Sequence, residues 1–171
     1  MPDSLPGLTR IDHVALTIPD LDEAVAFYTG VLGGTELYRM GPFDAAEIPG
    51  MPDGRDWTAA HVNVPDARLR FAGVQVGADF TVELFEYERP RGATTPPGNA
   101  DVGGHHVGLK VADLDAALAF LRERGVETFE RIEVAEGPLA GMRGAYFLDP
   151  WGNHLELVEY ERLGYMDAAP A

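Results

Sequence analysis

Residues 11–28 have the sequence IDHVALTIPDLDEAVAFY, and residues 104–121 have the sequence GHHVGLKVADLDAALAFL. The two stretches align without a gap, and nine of their positions are identical, including His13 and His106. A second match follows, in which ELFEY at residues 83–87 corresponds to ELVEY at residues 156–160. These matches indicate an internal duplication, in which each copy contains a histidine near its start and a glutamate near its end.

Each copy is predicted to open as a β-strand with two distinct faces. Alternation places Val14, Leu16 and Ile18 on one face of the first strand, and His13 and Ala15 on the other. In the second copy the same two faces carry Val107, Leu109 and Val111, and His106 and Gly108. We expect the apolar face to be covered and the histidine face to line a cavity.

A helix is predicted after each of these strands. Asp20 and Asp113 stand at N-cap positions, and Glu23 three residues after Asp20 completes a capping box. Apolar residues then recur at helical spacing until Gly33 and Gly125 end the two runs. Each helix can therefore cover the apolar face of the strand before it.

Three further strands are expected after each helix, which makes each module βαβββ. The predicted strands are residues 58–64, 69–76 and 81–87 in module one, and residues 127–134, 144–148 and 154–160 in module two. We predict one α+β domain, residues 1–171, in which modules 8–88 and 103–162 form a curved mixed sheet around a central metal cavity. The segment 89–102, rich in Pro and Gly, is the expected linker, and residues 164–171 are expected to fray.

Composition restricts the function. The chain has 171 residues, 46% of them hydrophobic, which is enough for a sizeable core. Its formal net charge of −15 argues against nucleic acid and anionic membrane surfaces as partners. Because no signal peptide or membrane-spanning stretch stands out, we expect a cytoplasmic protein. The absence of cysteine leaves His, Asp and Glu as the available metal ligands.

The repeated residues suggest a metal site. Packing gives no reason for His and Glu to recur at equivalent strand positions, so His13, Glu83, His106 and Glu156 are the candidate ligands of one shared ion. Two imidazoles and two carboxylates suit a divalent cation such as Zn, Ni, Co, Mn or Fe. Module one has 20 more residues than module two between its histidine and its glutamate. Much of this excess is expected in residues 40–56, as a lid or a plain surface loop.

The chain resembles the vicinal oxygen chelate superfamily, which includes glyoxalase I, methylmalonyl-CoA epimerase, extradiol dioxygenases, and fosfomycin- and bleomycin-resistance proteins. The resemblance lies in IDHVA at residues 11–15, HHVG at 105–108, VEL at 82–84, LEL at 155–157 and the turn DPWGN at 149–153. It implies paired modules around a metal held by the four candidate ligands. It also implies a small-molecule substrate that chelates through adjacent oxygens, and a homodimer.

The resemblance also implies a chemistry. We expect a metal-dependent lyase or isomerase that stabilises an enolate after proton abstraction, as in glyoxalase I, where a glutamate at the metal transfers the proton. Glu83 or Glu156 is then the catalytic base. Methylmalonyl-CoA epimerases usually have glutamine at the position of Glu83 and use separate acids, for which Glu47 and Asp66 are weak candidates.

Two other activities in the superfamily remain alternatives. Tyr146, ten residues before Glu156, resembles the extradiol dioxygenase signature, but residues 134–145 lack its histidine, and a triad of two histidines and one carboxylate leaves Glu83 without a role. Bleomycin-resistance-like binding proteins generally lack the ligand set.

The remaining candidates for the substrate pocket are Tyr146, Arg143 and His154, the last as a partner of Glu156. Each also has a purely structural interpretation. His61 is expected on a strand, at the surface or in the pocket, and outside the metal site.

Overall fold

The computed structural model describes residues 6–163. The chain divides into two compact units, Met1–Gly92 and Ala93–Ala171, and the boundary falls within the segment 89–102. Each unit contains one of the two repeated modules. The expected frayed tail, residues 164–171, lies outside the described residues.

The first unit is a four-stranded mixed sheet with two helices. Its elements are β1 (His13–Thr17), α1 (Leu21–Gly30), β2 (Thr35–Asp44), α2 (Trp57–Val62), β3 (Arg68–Val76) and β4 (Phe80–Arg89). The strand order is β1-β4-β3-β2. β1 pairs with β4 in parallel, and the other neighbours are antiparallel. The two repeated segments of module one, which are distant in sequence, are therefore neighbouring strands.

The second unit repeats this arrangement with fewer residues. Its elements are β5 (His106–Lys110), α3 (Leu114–Glu123), β6 (Ile132–Glu133), β7 (Arg143–Leu148) and β8 (His154–Glu159). The strand order is β5-β8-β7-β6, again with the first pair parallel and the others antiparallel. The predicted α+β class and the duplicated βαβββ order are thereby confirmed, and each sheet is open. None of the helices in residues 6–163 has the length and apolar character needed to cross a membrane.

The repeated strand and helix behave as the sequence predicts. Asp20 caps α1 by accepting the N–H groups of Asp22 and Glu23, each at 3.0 Å. Asp113 caps α3 in the same way at the N–H of Ala116. Leu16 and Ile18 of the first copy are buried, whereas His13, Ala15 and Thr17 on the opposite face are exposed. The apolar face of the first strand therefore contributes to the core of its unit, and Val107 is buried on the equivalent face of the second copy.

A second glutamate in each repeat anchors the helix to the sheet. Glu86 on β4 accepts the N–H of Leu21 at 2.8 Å, and Glu159 on β8 accepts the N–H of Leu114 at 2.5 Å. These two carboxylates take one of the N–H groups that the first turn of a helix leaves unpaired. The two glutamates of each ELxEY segment thus have separate roles, since Glu83 and Glu156 do not contribute to this anchor.

Two predictions within module one were wrong. Residues 58–64 were expected to be a strand, but Trp57–Val62 forms α2, because Asp56 caps its first turn and Asn63 ends it in a left-handed conformation, φ 56°. The strand that the prediction lacks is β2, which includes residues 40–44 of the stretch predicted as a lid or surface loop. β2 lies at the edge of the sheet with mostly exposed side chains, so it lacks the buried alternation by which strands are recognised.

The strand predicted at residues 127–134 is also shorter than expected. Only Ile132–Glu133 forms a strand there, and Thr128 adds an isolated bridge to Phe147.

Candidate metal centre

The first candidate ligand pair lies on neighbouring parallel strands. His13 begins β1, and Glu83 on β4 is in register with Ala15, two residues further along β1. Nε2 of His13 lies 3.2 Å from Oε2 of Glu83. The imidazole is 43% exposed and the carboxylate 13%, so the pair is open to a ligand on one side while the sheet restrains the carboxylate.

The second pair repeats this geometry. His106 begins β5, and Glu156 on β8 is in register with Gly108. Nε2 of His106 lies 3.4 Å from Oε2 of Glu156, with the two side chains 40% and 12% exposed. A methyl group added at Gly108 would lie 3.9 Å from that oxygen. The small residue at this register position therefore borders the carboxylate of Glu156.

The structure brings the four predicted ligands together as two pairs, one in each unit. Among residues 6–163, no group of three or more His, Asp or Glu side chains is arranged to hold a metal ion. Each unit by itself thus supplies two of the predicted donors.

Each pair has a geometry that suits metal binding. Ligands at the usual Zn–N and Zn–O lengths of about 2.0–2.2 Å are about 3 Å from one another, close to the two Nε2–Oε2 distances observed here. The donor atoms are imidazole nitrogen and carboxylate oxygen, which suit borderline divalent cations. The two donors of each pair are therefore of the kinds that bind a divalent ion.

Asp12 and Tyr38 contact the first pair, and sequence reasoning missed both. Nδ1 of His13 lies 3.0 Å from Oδ1 of Asp12. This contact raises the pKa of His13, and Glu83 adds to the shift. When Nδ1 donates to Asp12, the lone pair of Nε2 is available to a metal. The adjacency of Asp12 and His13 in the sequence could have predicted this contact. The second repeat has His105 in place of the aspartate.

Tyr38, on β2, donates its hydroxyl hydrogen to Oε1 of Glu83 at 2.6 Å. Burial, followed by the contact with Glu83, raises the pKa of Tyr38 to about 12. The hydroxyl therefore stays protonated and serves as a donor at neutral pH. Tyr38 was missed because the sequence analysis predicts no strand at β2, and so gives no reason to place its side chain beside Glu83.

Tyr146, predicted to line the substrate pocket, contacts the second pair. Its hydroxyl lies 3.5 Å from Nε2 of His106, and the two rings meet edge to face with centroids 5.0 Å apart. Burial raises the pKa of Tyr146, and Glu156 adds to the shift. An open cleft of about 440 Å³ lies here, lined by Asn99, Gly104, His105, His106 and Tyr146. A small ligand could enter this cleft beside His106.

The other two predicted pocket residues have different surroundings. Arg143 forms ion pairs with Asp115 at 2.8 Å and Glu159 at 3.2 Å, an arrangement that Arg70, Asp22 and Glu86 repeat in the first unit. These contacts give Arg143 a structural role at the helix anchor, and its contact with substrate stays a prediction. His154 is in register with His106, and its Nδ1 is buried with no hydrogen-bond partner within the described residues.

His61 lies on α2 and not on a strand. Its ring stacks on Trp57 with centroids 4.6 Å apart, and Nδ1 lies 2.8 Å from the carbonyl oxygen of Trp57. The two weak acid candidates also have structural surroundings. Asp66 pairs with Arg89 at 3.3 Å, and the N–H of Glu47 closes a turn on the carbonyl of Asp44.

The comparison with protein families agrees with this architecture. The model of the glyoxalase/bleomycin resistance protein/dioxygenase superfamily matches residues 10–157. The chain belongs to this superfamily. The solved structure of a glyoxalase family protein from Bacillus cereus shares the fold with a TM-score of 0.68 at 20% identity, covering 93% of this chain and 97% of that one. The resemblance to the vicinal oxygen chelate superfamily is thereby confirmed.

The relatives of the chain include proteins named as epimerases. The chain is 41% identical over 157 residues to 2-epi-5-epi-valiolone epimerase from Actinomyces sp, covering 90% of this chain and 81% of that protein. It is 26% identical over 156 residues to mitochondrial methylmalonyl-CoA epimerase from Homo sapiens, covering 91% and 75%. Both alignments therefore cover nearly the whole of this chain.

Proposed function

We propose that this protein is a metal-dependent isomerase that inverts the configuration of a carbon next to a carbonyl group. The observation that carries the proposal is the occurrence of one His–Glu pair at equivalent positions of both sheets, in a chain 41% identical to an epimerase. Superfamily membership alone supports several chemistries, and the relative named as an epimerase favours this one.

The proposal assigns both pairs to one divalent ion, Zn, Ni, Co, Mn or Fe. His13, Glu83, His106 and Glu156 would hold it, within one chain or between exchanged modules of a homodimer. When bound, such an ion polarises the substrate carbonyl and stabilises the enolate. Two imidazoles and two carboxylates give a neutral site with a divalent ion.

The carboxylates are the groups of this chain that can move the proton. In the proposed reaction, Glu83 or Glu156 accepts the proton from the carbon next to the carbonyl, and the C–H electron pair forms the enolate. Return of a proton to the opposite face of that carbon gives the epimer. No atom is gained or lost overall and nothing is oxidised, so the reaction needs no co-substrate.

The substrate we propose first is 2-epi-5-epi-valiolone, the compound in the name of the 41% identical relative. Methylmalonyl-CoA comes second, on the more distant relative. A carboxylate at the position of Glu83 is a departure from the glutamine usual in methylmalonyl-CoA epimerases, and this difference favours the first substrate.

Proton exchange in heavy water tests this function directly. The metal-loaded protein is incubated in D₂O with 2-epi-5-epi-valiolone, methylmalonyl-CoA or the methylglyoxal–glutathione adduct, and deuterium at the carbon next to the carbonyl is followed by NMR. The proposal predicts deuterium incorporation and a second diastereomer with one of the first two compounds. Metal-loaded protein that exchanges no proton in any compound would overturn it.

The two alternatives give different results in the same series. An extradiol dioxygenase would consume O₂ with a catechol and leave the three carbonyl compounds unlabelled. A binding protein of the bleomycin-resistance kind would hold no stoichiometric metal after purification without chelator. The presence of a carboxylate in both pairs favours the isomerase over either alternative.

A further inference from the structure

The two His–Glu pairs contact tyrosines that come from different strands. Tyr38 donates to Oε1 of Glu83 at 2.6 Å, whereas the hydroxyl of Tyr146 lies 3.5 Å from the histidine of its pair, His106. The duplication is therefore not symmetric around the carboxylates. Glu83 has a short hydrogen bond from a phenol, and Tyr146 contacts the imidazole.

The position of Gly73 explains how Tyr38 reaches its partner. Gly73 on β3 is in register with Tyr38 on one side and with Glu83 on the other. A methyl group added at Gly73 would lie 2.3 Å from Cζ of Tyr38 and 2.6 Å from its hydroxyl oxygen. The ring of Tyr38 thus occupies the space above Gly73 and spans β3.

The second repeat fills this space in another way. Tyr146 on β7 is in register with Glu156, just as Gly73 is with Glu83. The residue beside the carboxylate is thus a tyrosine in one copy, and in the other a glycine with a tyrosine reaching over it from the edge strand. Gly73 has no positive φ, so its backbone conformation does not require glycine. The ring of Tyr38 is what makes a small residue necessary there.

The two oxygens of Glu83 have different partners as a result. Oε1 accepts from Tyr38, and Oε2 faces Nε2 of His13 at 3.2 Å. Hydrogen bonds to ionised acceptors are short and strong, so the phenol restrains the carboxylate with Oε2 directed toward the imidazole. A single oxygen is then presented beside His13.

We propose that Tyr38 is a positioning residue that fixes Glu83 as a one-oxygen metal ligand. The absence of a side chain at Gly73 leaves the space that the ring of Tyr38 needs. This inference rests on the proposed function, because it assigns Glu83 to the metal. Tyr38 acts through Glu83 and needs no contact with substrate.

Cobalt binding to the full chain tests this role. Groups that orient a metal ligand typically contribute about 10- to 100-fold in metal affinity. We therefore expect Tyr38→Phe to raise the dissociation constant for Co²⁺ by about that factor and to change the visible Co²⁺ spectrum. Proton exchange by Tyr38→Phe should be low at limiting Co²⁺ and should recover at excess Co²⁺. A purely structural role for Tyr38 would not give this rescue by metal.

A matched control and a second variant accompany this measurement. Tyr160→Phe makes the same change at a ring that contacts Lys110, and it should leave Co²⁺ affinity unchanged. Gly73→Ala should weaken Co²⁺ binding in the wild-type background by displacing Tyr38. In a Tyr38→Ala background the same Gly73→Ala change should have no further effect, since the ring is already absent.

The outcomes separate the two proposals. Wild-type protein that binds Co²⁺ with the same affinity and spectrum as Tyr38→Phe would overturn the role of Tyr38 and leave the proposed function intact. Wild-type protein that binds no Co²⁺ would overturn both. Equal effects of Gly73→Ala with and without Tyr38 would show that Gly73 acts on the sheet and not through the tyrosine.

Discussion

At the scale of single residues, Glu83 and Glu156 occupy equivalent register positions but have different neighbours. Each lies within 3.5 Å of the matched histidine of its own repeat, His13 for Glu83 and His106 for Glu156. Each is also the less exposed member of its pair, with 13% and 12% of the side chain accessible. A carboxylate held in this way can serve as a ligand, as a base, or as both.

The corresponding prediction concerns the two carboxylates. Glu83→Gln and Glu156→Gln should each lower the rate of proton exchange by about 100-fold or more, because an amide can neither accept the proton nor neutralise a divalent ion. The rate is measured by NMR in D₂O. His61→Ala is the control, since His61 stacks on Trp57 and is not a proposed ligand. Equal losses in all three variants would contradict the site assignment.

The duplication singled out the two histidines and the two glutamates, and strand alternation predicted only the face on which each histidine lies. Alternation placed His13 and His106 on the face opposite the buried Leu16 and Val107, and the structure places a glutamate beside each histidine. Tyr38 could not be predicted in this way. A register shift between Glu36 and Tyr38 changes the pairing of β2, and the sequence has no feature that marks such a shift.

At the scale of elements, α2 is the main feature that distinguishes the two units. Asp56 accepts the hydroxyl of Thr58 and the N–H groups of Ala59 and Asp66. The hydroxyl oxygen of Thr58, which is fully buried, accepts the N–H of Ala67 at 3.1 Å. These bonds connect the start of α2 to the segment that leads into β3.

Thr58→Ala should destabilise the protein by about 1–3 kcal/mol, because the buried N–H of Ala67 loses its acceptor. Urea unfolding followed by circular dichroism measures this difference. Thr29→Ala is the matched control, since the hydroxyl of Thr29 donates to the carbonyl of Val25 in its own helix and no buried donor loses its partner. A Thr58→Ala variant as stable as Thr29→Ala would show that α2 is not held by this hydroxyl.

The same element predicts a pH dependence. The Thr58 hydroxyl and then the N–H groups of Ala59 and Asp66 lower the pKa of Asp56 from 3.8 to about 2. A carboxyl whose pKa is lower in the folded state stabilises the fold above its unfolded pKa, and this stability is lost as the pH falls through the folded pKa. Asp56→Asn should therefore lose less stability than the wild type between about pH 4 and pH 2. The free energy of unfolding of both proteins is measured at the two pH values. An equal loss of stability in Asp56→Asn and the wild type would contradict this prediction.

The errors in predicting elements have physical causes. β2 is an edge strand that contains Gly41 and Pro42 and a second register shift between Met40 and Phe43, so its sequence resembles a loop. Residues 58–64 were mistaken for a strand because the helix is only six residues long, too short for apolar periodicity to show. The longer helices α1 and α3 were predicted correctly, because caps and periodicity agreed.

At the scale of the whole molecule, the duplication is the basis of the proposed function. Each unit repeats a mixed sheet, a capped helix, a carboxylate anchor and one His–Glu pair. Sharing of one ion by both pairs, and a homodimer, are predictions from this symmetry and from the family. The acidic charge of −15 favours neutral or cationic ligands over polyanions.

The measurement that tests the central claim most directly is the number of Co²⁺ ions bound per chain, by equilibrium dialysis followed by elemental analysis. The account predicts about one ion per chain for the wild type, and loss of tight binding in both His13→Ala and His106→Ala, because one ion needs donors from both repeats. Two ions per chain, no bound ion, or full affinity in either histidine variant would contradict it.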